Sequence, residues 1–215
     1  MAWMTHALSA VQENEPRWVQ NALVAWWTEI RSLLVTMWRF ISAPRRFGAE
    51  WADGKLAAMN PIAVVLGSAT VLLPADYGLQ RLLGWDRRAN VDVWIELARA
   101  SRPYLFAALT AVVVHIVLRL VGSRRSLTTT VGLMFYAGVF SWLAWCLGLV
   151  ACYVTGAGSV IPNLASAATT LIWATLALVG AHRVRSWWCA PLMLGACAFV
   201  LPMLVNLVFS RAGLI

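Results

Sequence analysis

Five long apolar runs occupy the chain from residue 61 onward, and they restrict its possible folds more than any other feature. They cover residues 61–83, 103–121, 128–154, 160–181 and 187–209. An α-helix needs about 20 apolar residues to cross the hydrocarbon layer of a bilayer, and each run is close to or above that length. The sequence therefore predicts an all-α, polytopic membrane protein in which residues 61–215 form a domain of five transmembrane helices.

The composition separates this chain from ordinary soluble domains. Of its 215 residues, 61% are hydrophobic and 12% are charged, whereas a soluble domain has about 45–50% and about 25%. The net charge of +8 would also suit a nucleic-acid-binding protein. However, the arginines lie at the ends of apolar runs, where the positive-inside rule places them. We therefore predict contact with the lipid bilayer and no nucleic-acid partner.

The chemistry-bearing residues do not form a catalytic or metal-binding pattern. All nine acidic residues precede Leu97, so the C-terminal half has no pair of carboxylates for acid–base work. The four cysteines lie in apolar runs without a Cys-x-x-Cys pair, which favours buried packing thiols over a zinc site or a disulfide framework. Common hydrolase, metalloprotease and phosphate-binding motifs are missing. We predict that the protein is not an enzyme and holds no metal or cofactor.

Residues 16–41 have the pattern of one amphipathic helix. Glu29 and Arg31 would be costly at the centre of a bilayer, so this helix is predicted to lie in the membrane interface rather than to span it. Indole side chains prefer the headgroup layer. An alternative is that the helix packs on the protein's own spans or on a partner. The apolar stripe consists of Val19, Leu23, Trp26, Ile30, Leu33, Met37 and Ile41, and the candidate membrane-surface tryptophans are Trp18, Trp26, Trp27 and Trp38.

Residues 44–59 predict a second, short helix that ends at a corner. The corner is Asn60–Pro61, because a residue before proline avoids the α region. Residues 16–60 thus form a cytoplasmic pair of interfacial helices behind a flexible N-terminus, residues 1–15, which lacks the features of a signal peptide. In the short helix Phe47, Trp51 and Met59 are predicted to face the membrane, and Arg45, Arg46, Glu50, Asp53 and Lys55 to face water.

The basic residues of the short loops predict the orientation. They gather before the first run, between the second and third, and between the fourth and fifth, which places the N-terminus in the cytoplasm and the C-terminus outside. The predicted location is the cell membrane, of the bacterial inner-membrane kind. Residues 84–102 are an exception, because they would lie outside and yet carry four arginines. Their apolar spacing predicts a short interfacial helix on the outer face.

Polar residues within the apolar runs form a candidate site, since ionisable groups inside a membrane often mark function. Five of them fall in the predicted outer layer, and Arg81 is near enough in sequence to reach back to Asp76. The group is either a small outward-facing polar cavity or a satisfied polar cluster that ties helix ends together. His115 falls in the inner layer, too far from Asp76 to form a pair, and is predicted to be a hydrogen-bonded core histidine. The cluster residues are Asp76, Arg81, Tyr153, Asn163 and Asn206.

The segment that leads into the first run contains the pattern Pro44-x-x-Phe47, followed by Trp51, Gly54 and Asn60-Pro61. This pattern, ahead of five apolar runs, resembles the Yip family, the Ypt/Rab-interacting-protein-like membrane proteins and their bacterial relatives. The resemblance covers roughly residues 40 to 210. It implies a cytoplasmic N-terminal segment and a five-span C-terminal domain, with membrane trafficking as the setting of the eukaryotic members and no catalytic residues to assign. The arginine-rich outer loop departs from it.

These features lead to two expectations about function. The first is a non-catalytic integral membrane protein that organises lipids or partner proteins at the membrane. The second is a small-solute or lipid transport component that uses the outer polar cluster. Small residues repeat every four positions at Ala144, Gly148 and Cys152. Such stripes let helices approach closely, either within the bundle or between copies of the chain or partner membrane proteins.

Overall fold

The fold is seen in a computed structural model, which describes residues 17–56, 58–85, 93–156 and 158–184, with positions 191 and 195 in addition. These residues form helices and no strands, as the sequence predicts. The expectations for residues 1–15, for Asn206 and for nearly all of the fifth apolar run lie outside the described residues. The helices are α1 (Arg17–Ser42), α2 (Pro44–Ala52), α3 (Pro61–Leu82), α4 (Val93–Leu120), α5 (Leu127–Thr155) and α6 (Val160–His182).

Three of the helices are long and apolar enough to cross a membrane, namely α3, α5 and α6. Their bounds agree with the first, third and fourth predicted runs to within one residue at each end. The apolar part of α4 is shorter and covers Tyr104–Leu120. A multi-pass membrane protein is compatible with these helices.

Local chemistry explains where the long helices begin and end. The side chain of Asn60 accepts a hydrogen bond of 2.9 Å from the backbone N–H of Ile62, and Pro61 occupies the first helical turn of α3. Ser126 caps α5 in the same way through the N–H of Thr129. Gly156 ends α5 with a φ of 69°, a left-handed conformation that glycine adopts without steric cost. Asn60 leaves the α region, as predicted, but the short helix ends at Ala52 and not at residue 59.

The predicted division between an outer interfacial helix and the second span is not observed. Helix α4 begins at Val93 and continues through Pro103 to Leu120 without a break. Proline has no N–H for the helical hydrogen bond, and its presence either ends a helix or only kinks it. The sequence alone does not distinguish these two outcomes.

Helix α5 lies at the centre of the described bundle, where it packs against α3, α4 and α6. Its small residues permit close packing on α6, because a Cβ atom at Gly148 would lie 2.5 Å from the Cα atom of Pro162. Cys146 and Cys152 are buried free thiols, as predicted for these two positions. The stripe at Gly148 therefore packs within the bundle.

Candidate functional site

The short helix α2 is packed into the core of the bundle. Phe47 is only 2% exposed, and its ring lies 5.3 Å from that of Phe40 in α1 and 5.0 Å from that of Tyr136 in α5. Trp51 also stacks edge-on against Tyr136, at 5.6 Å. The prediction that Phe47 and Trp51 face the membrane is therefore wrong. The helical pattern shows which face is apolar, but protein rather than lipid covers it.

Two glycines bring the backbones of α2 and α6 into direct contact. A Cβ atom at Gly48 would lie 2.0 Å from the carbonyl oxygen of Ala177. A Cβ atom at Gly180 would lie 1.9 Å from the carbonyl oxygen of Arg45. Real Cβ atoms do not approach oxygen so closely, so glycine is required at both positions. Helix α2 is thus seated on the last two turns of α6.

Arg125, in the loop before α5, joins the ends of these two helices. Its guanidinium donates to the carbonyl oxygen of Ala52 at 2.9 Å and to that of Ala181 at 3.2 Å. Carbonyls in the last turn of a helix have no partner within the helix, so a side-chain donor satisfies them. The third bond goes to Oδ1 of Asp53, at 2.5 Å. One side chain therefore holds α2 and α6 at a common end.

Asp53 is the shared acceptor at this end, and we call Asp53, Lys55, Arg125 and Arg183 the Asp53 cluster. Its other oxygen accepts from Arg183 at 2.7 Å, and the ammonium of Lys55 lies 3.8 Å away. The Asp53 side chain is 18% exposed, so the prediction that it faces open water is corrected. The hydrogen bond from Arg125 is the main cause that holds the pKa of Asp53 below its ordinary value.

A chain of hydrogen bonds extends from the Asp53 cluster into the bundle. Oγ of Ser123 accepts from the backbone N–H of Arg125 and lies 2.6 Å from Nδ1 of His182. Oγ1 of Thr130 lies 3.0 Å from Nε2 of His182 and 3.0 Å from Nδ1 of His115. A hydroxyl has one proton and two acceptor lone pairs, so Thr130 can donate to only one of the two imidazoles.

This chain links α4, α5 and α6 without requiring any outside group. His115 has the hydrogen bond that the sequence analysis predicts for it. His182 was missed, although a histidine at the end of an apolar run, next to Arg183, is a visible signal. Within the described part of the chain, no three His, Cys, Asp or Glu side chains come together as metal ligands.

Asp76, the predicted centre of the outer cluster, has three donors within the protein. Gln80 donates to Oδ1 at 2.6 Å, one turn further along α3. The indole nitrogens of Trp145 and Trp142, both in α5, donate to Oδ1 at 3.0 Å and to Oδ2 at 3.1 Å. These bonds join α3 to α5, as the interpretation of a satisfied polar cluster expects for Asp76.

The predicted contact between Arg81 and Asp76 is absent. Arg81 donates instead to the hydroxyl of Tyr77, at 2.8 Å. Residues four apart share a helix face, which explains why Gln80 reaches Asp76 and why Arg81, five apart, does not.

The remaining members of the predicted outer cluster have other environments. Tyr153 is exposed, and the side-chain amide of Asn163 donates to the carbonyl oxygen of Ser159, at 2.7 Å, in its own first turn. Neither hydrogen-bonds to Asp76, and Asn206 lies outside the described residues. A common function for the five residues stays a prediction.

Helix α1 has two apolar faces rather than the single predicted stripe. Met37 and Phe40 are buried against the bundle, and Nε1 of Trp173 donates to the carbonyl oxygen of Ile41 at 2.9 Å. This part of the helix follows the alternative of packing on the protein itself. The candidate surface residues that are exposed are Trp26, Trp27, Trp38, Arg45 and Arg46, and only the backbone of Trp18 is described.

Replacing Asp76 with asparagine should lower the thermal stability of the full-length protein in mild detergent. Asparagine keeps one acceptor oxygen but places an N–H₂ group beside an indole donor. We expect a loss of about 1–3 kcal/mol in the free energy of unfolding, the usual range when a donor loses its acceptor. Arg81→Gln is the matched control, because it leaves the three donors of Asp76 in place. A larger loss in Arg81→Gln than in Asp76→Asn would contradict this account.

Comparisons with protein-family models, with curated proteins and with solved structures found no match to this chain.

Proposed function

We propose that the chain is a non-catalytic integral membrane protein that organises lipids or partner proteins at one surface of a cell membrane. The proposal includes the Yip-like arrangement of five spans, the bacterial inner membrane, a cytoplasmic N-terminus and a C-terminus outside. One observation carries it: a helix with an exposed apolar face, α1, is held in place by a second helix, α2, that is packed into the bundle.

Four exposed apolar residues of α1 lie on one side of the helix. Val24, Trp27, Leu34 and Trp38 are separated by three, seven and four positions, a helical spacing, and we call them the apolar face of α1. Trp38 is 68% exposed. Contiguous exposed apolar residues mark sites that lipid or another protein covers, and tryptophan favours the headgroup layer of a membrane.

The attachment of α1 gives this face a fixed position relative to the bundle. Phe40 near the end of α1 and Phe47 in α2 pack on the same ring, that of Tyr136. Three basic residues of the Asp53 cluster, Lys55, Arg125 and Arg183, are among those that predict the cytoplasmic side. Both features support an interfacial position for α1 on that side.

Photocrosslinking from α1 tests the proposal in the full-length protein. A small diazirine amino acid is placed at Leu34, which is 61% exposed, or at Met37, which is 8% exposed. Both replacements conserve the size of the side chain. In vesicles of phosphatidylcholine and phosphatidylglycerol, we expect lipid adducts from position 34 and almost none from position 37, measured by mass spectrometry.

Two outcomes would contradict the proposal. The first is equal lipid labelling at the two positions, which would mean that α1 is not held with one face toward the bundle. The second is the absence of both lipid and protein adducts at position 34, in vesicles and in native membranes, which would mean that water covers the apolar face.

A further inference from the structure

An open groove runs alongside the contact between the first turns of α2 and the last two turns of α6. Its volume is about 830 Å³, within the range of about 300–1,000 Å³ that is usual for small-molecule sites. Ala49, Leu176 and Val179 contribute to an apolar wall, and Arg45, Arg46 and Arg183 contribute guanidinium groups. We call it the α2–α6 groove.

The charge around this groove is positive. Arg46 pairs with Glu50 at 2.6 Å and Arg183 pairs with Asp53, but Arg45 has no ion-pair partner among the residues described. Asp53 is also shared with Arg125 and Lys55. The groove and the adjoining Asp53 cluster therefore hold five basic side chains, against two carboxylates: Asp53 and the Glu50 that pairs with Arg46. An anionic ligand is complementary to this excess.

The groove lies where an apolar helix ends. Helix α6 has the length and composition of a membrane span and ends at His182. Leu176 and Val179 lie in its last two turns, and Arg183 follows the helix directly. The part of the groove next to the apolar span is therefore lined by apolar side chains, and the part at the end of the helix is lined by arginines. A phospholipid has its acyl chains and its phosphate in the same order.

We propose that the α2–α6 groove binds an anionic phospholipid. Arg45 and Arg183 bind the phosphate, for which the guanidinium fork is well suited, and one acyl chain lies along Leu176 and Val179. Basic pockets between membrane helices are known to hold lipid headgroups. This inference rests on the proposed function and names one class of lipid that the protein organises. The apolar wall distinguishes such a lipid from a soluble phosphate.

Lipid retention by the full-length protein tests the site. The protein is purified in mild detergent, and binding of phosphatidylglycerol is followed by native mass spectrometry and by the rise in the thermal midpoint. Arg45→Gln should weaken the apparent affinity about fivefold, the effect of one basic residue near a lipid phosphate. This change leaves the backbone carbonyl of Arg45 in place against Gly180, so α2 stays seated.

Two further variants make the test specific. Leu176→Trp fills the space beside the apolar wall of the groove without changing the charge. It should also weaken the binding of phosphatidylglycerol. Arg124→Gln is the matched control, because Arg124 is an exposed arginine in the loop before α5, outside the groove. We expect it to bind phosphatidylglycerol like the unchanged protein.

Three results would overturn the inference: unchanged affinity in Arg45→Gln, an equal loss in Arg124→Gln, or retention of phosphatidylcholine as strong as that of phosphatidylglycerol. The crosslinking at Leu34 is independent of these variants. If the groove binds no lipid while position 34 still labels lipid, only this inference fails. If position 34 contacts neither lipid nor protein, the proposed function fails. This holds whether or not Arg45→Gln weakens the binding of phosphatidylglycerol.

Discussion

Replacing Gly180 with alanine should detach α2 from α6 and markedly lower the thermal stability of the protein. The new Cβ atom would lie 1.9 Å from the carbonyl oxygen of Arg45. That oxygen belongs to the backbone of a helix packed on its other side, so it cannot move away as a flexible side chain would. Overpacking of this kind costs about 1–3 kcal/mol and sometimes more. Thermal unfolding in mild detergent measures the loss.

Gly78 provides the matched control for this substitution. It lies within α3, and a Cβ atom there would meet nothing within 4 Å. Alanine in an unstrained helix interior is favoured over glycine by about 0.5–1 kcal/mol, so Gly78→Ala should be neutral or slightly stabilising. Equal melting temperatures for Gly180→Ala and Gly78→Ala would show that the two backbones do not touch at this position.

Gly48→Ala should resemble Gly180→Ala, because its Cβ atom would lie 2.0 Å from the carbonyl oxygen of Ala177. The two glycines lie in one interface. Once either substitution has separated the helices, the other has less packing left to disturb. The double variant should therefore lose less stability than the sum of the two single losses, as residues that share an interface commonly do.

Replacing Arg125 with glutamine should destabilise the end of the bundle where α2 and α6 meet. The carbonyl oxygens of Ala52 and Ala181 both lose a charged donor. The expected cost is about 1–3 kcal/mol for each carbonyl that loses its donor. Arg125→Lys should be intermediate, because an ammonium keeps the charge but cannot reproduce the planar fork. Arg124→Gln, at an exposed neighbouring position, should change stability by less than about 0.5 kcal/mol.

Acid should reduce the difference in the free energy of unfolding between the unchanged protein and Arg125→Gln. Arg125 holds the pKa of Asp53 below its ordinary value, so the ion pair stabilises the fold above the unfolded-state pKa of about 3.9. That contribution is lost as the pH falls through the lower pKa of the folded state. The stability difference should be constant near neutral pH and smaller below about pH 4. A difference that grows on acidification would contradict the assignment of Asp53 as the partner of Arg125.

The apolar helices were predictable because their signal is local. The predicted runs 61–83, 128–154 and 160–181 differ from α3, α5 and α6 by at most one residue at each end. The length of an apolar run and the chemistry of a cap such as Asn60 depend on neighbours in sequence, and those neighbours are visible without a structure.

The partners of the polar groups were predictable only in part. Asp76 was identified as a residue that needs a partner, since a carboxylate in an apolar run is costly alone. Its donors Trp142 and Trp145 lie 66 and 69 positions away, and no local pattern links them to it. The partners of His115 and His182, in the hydrogen-bond chain that ends at Arg125, were not predictable for the same reason.

The sequence by itself determined that the chain forms apolar helices of membrane-spanning length behind a front segment with apolar residues at helical spacing. The tertiary structure alone decided what covers that segment. Phe47 and Trp51 lie on an apolar helix face. Contact with lipid and contact with protein both stabilise such a face, because both remove apolar surface from water. Only the distant groups that meet it, Tyr136 and the backbone of α6 opposite Gly48, show that α2 belongs to the core, while α1 keeps an exposed apolar face.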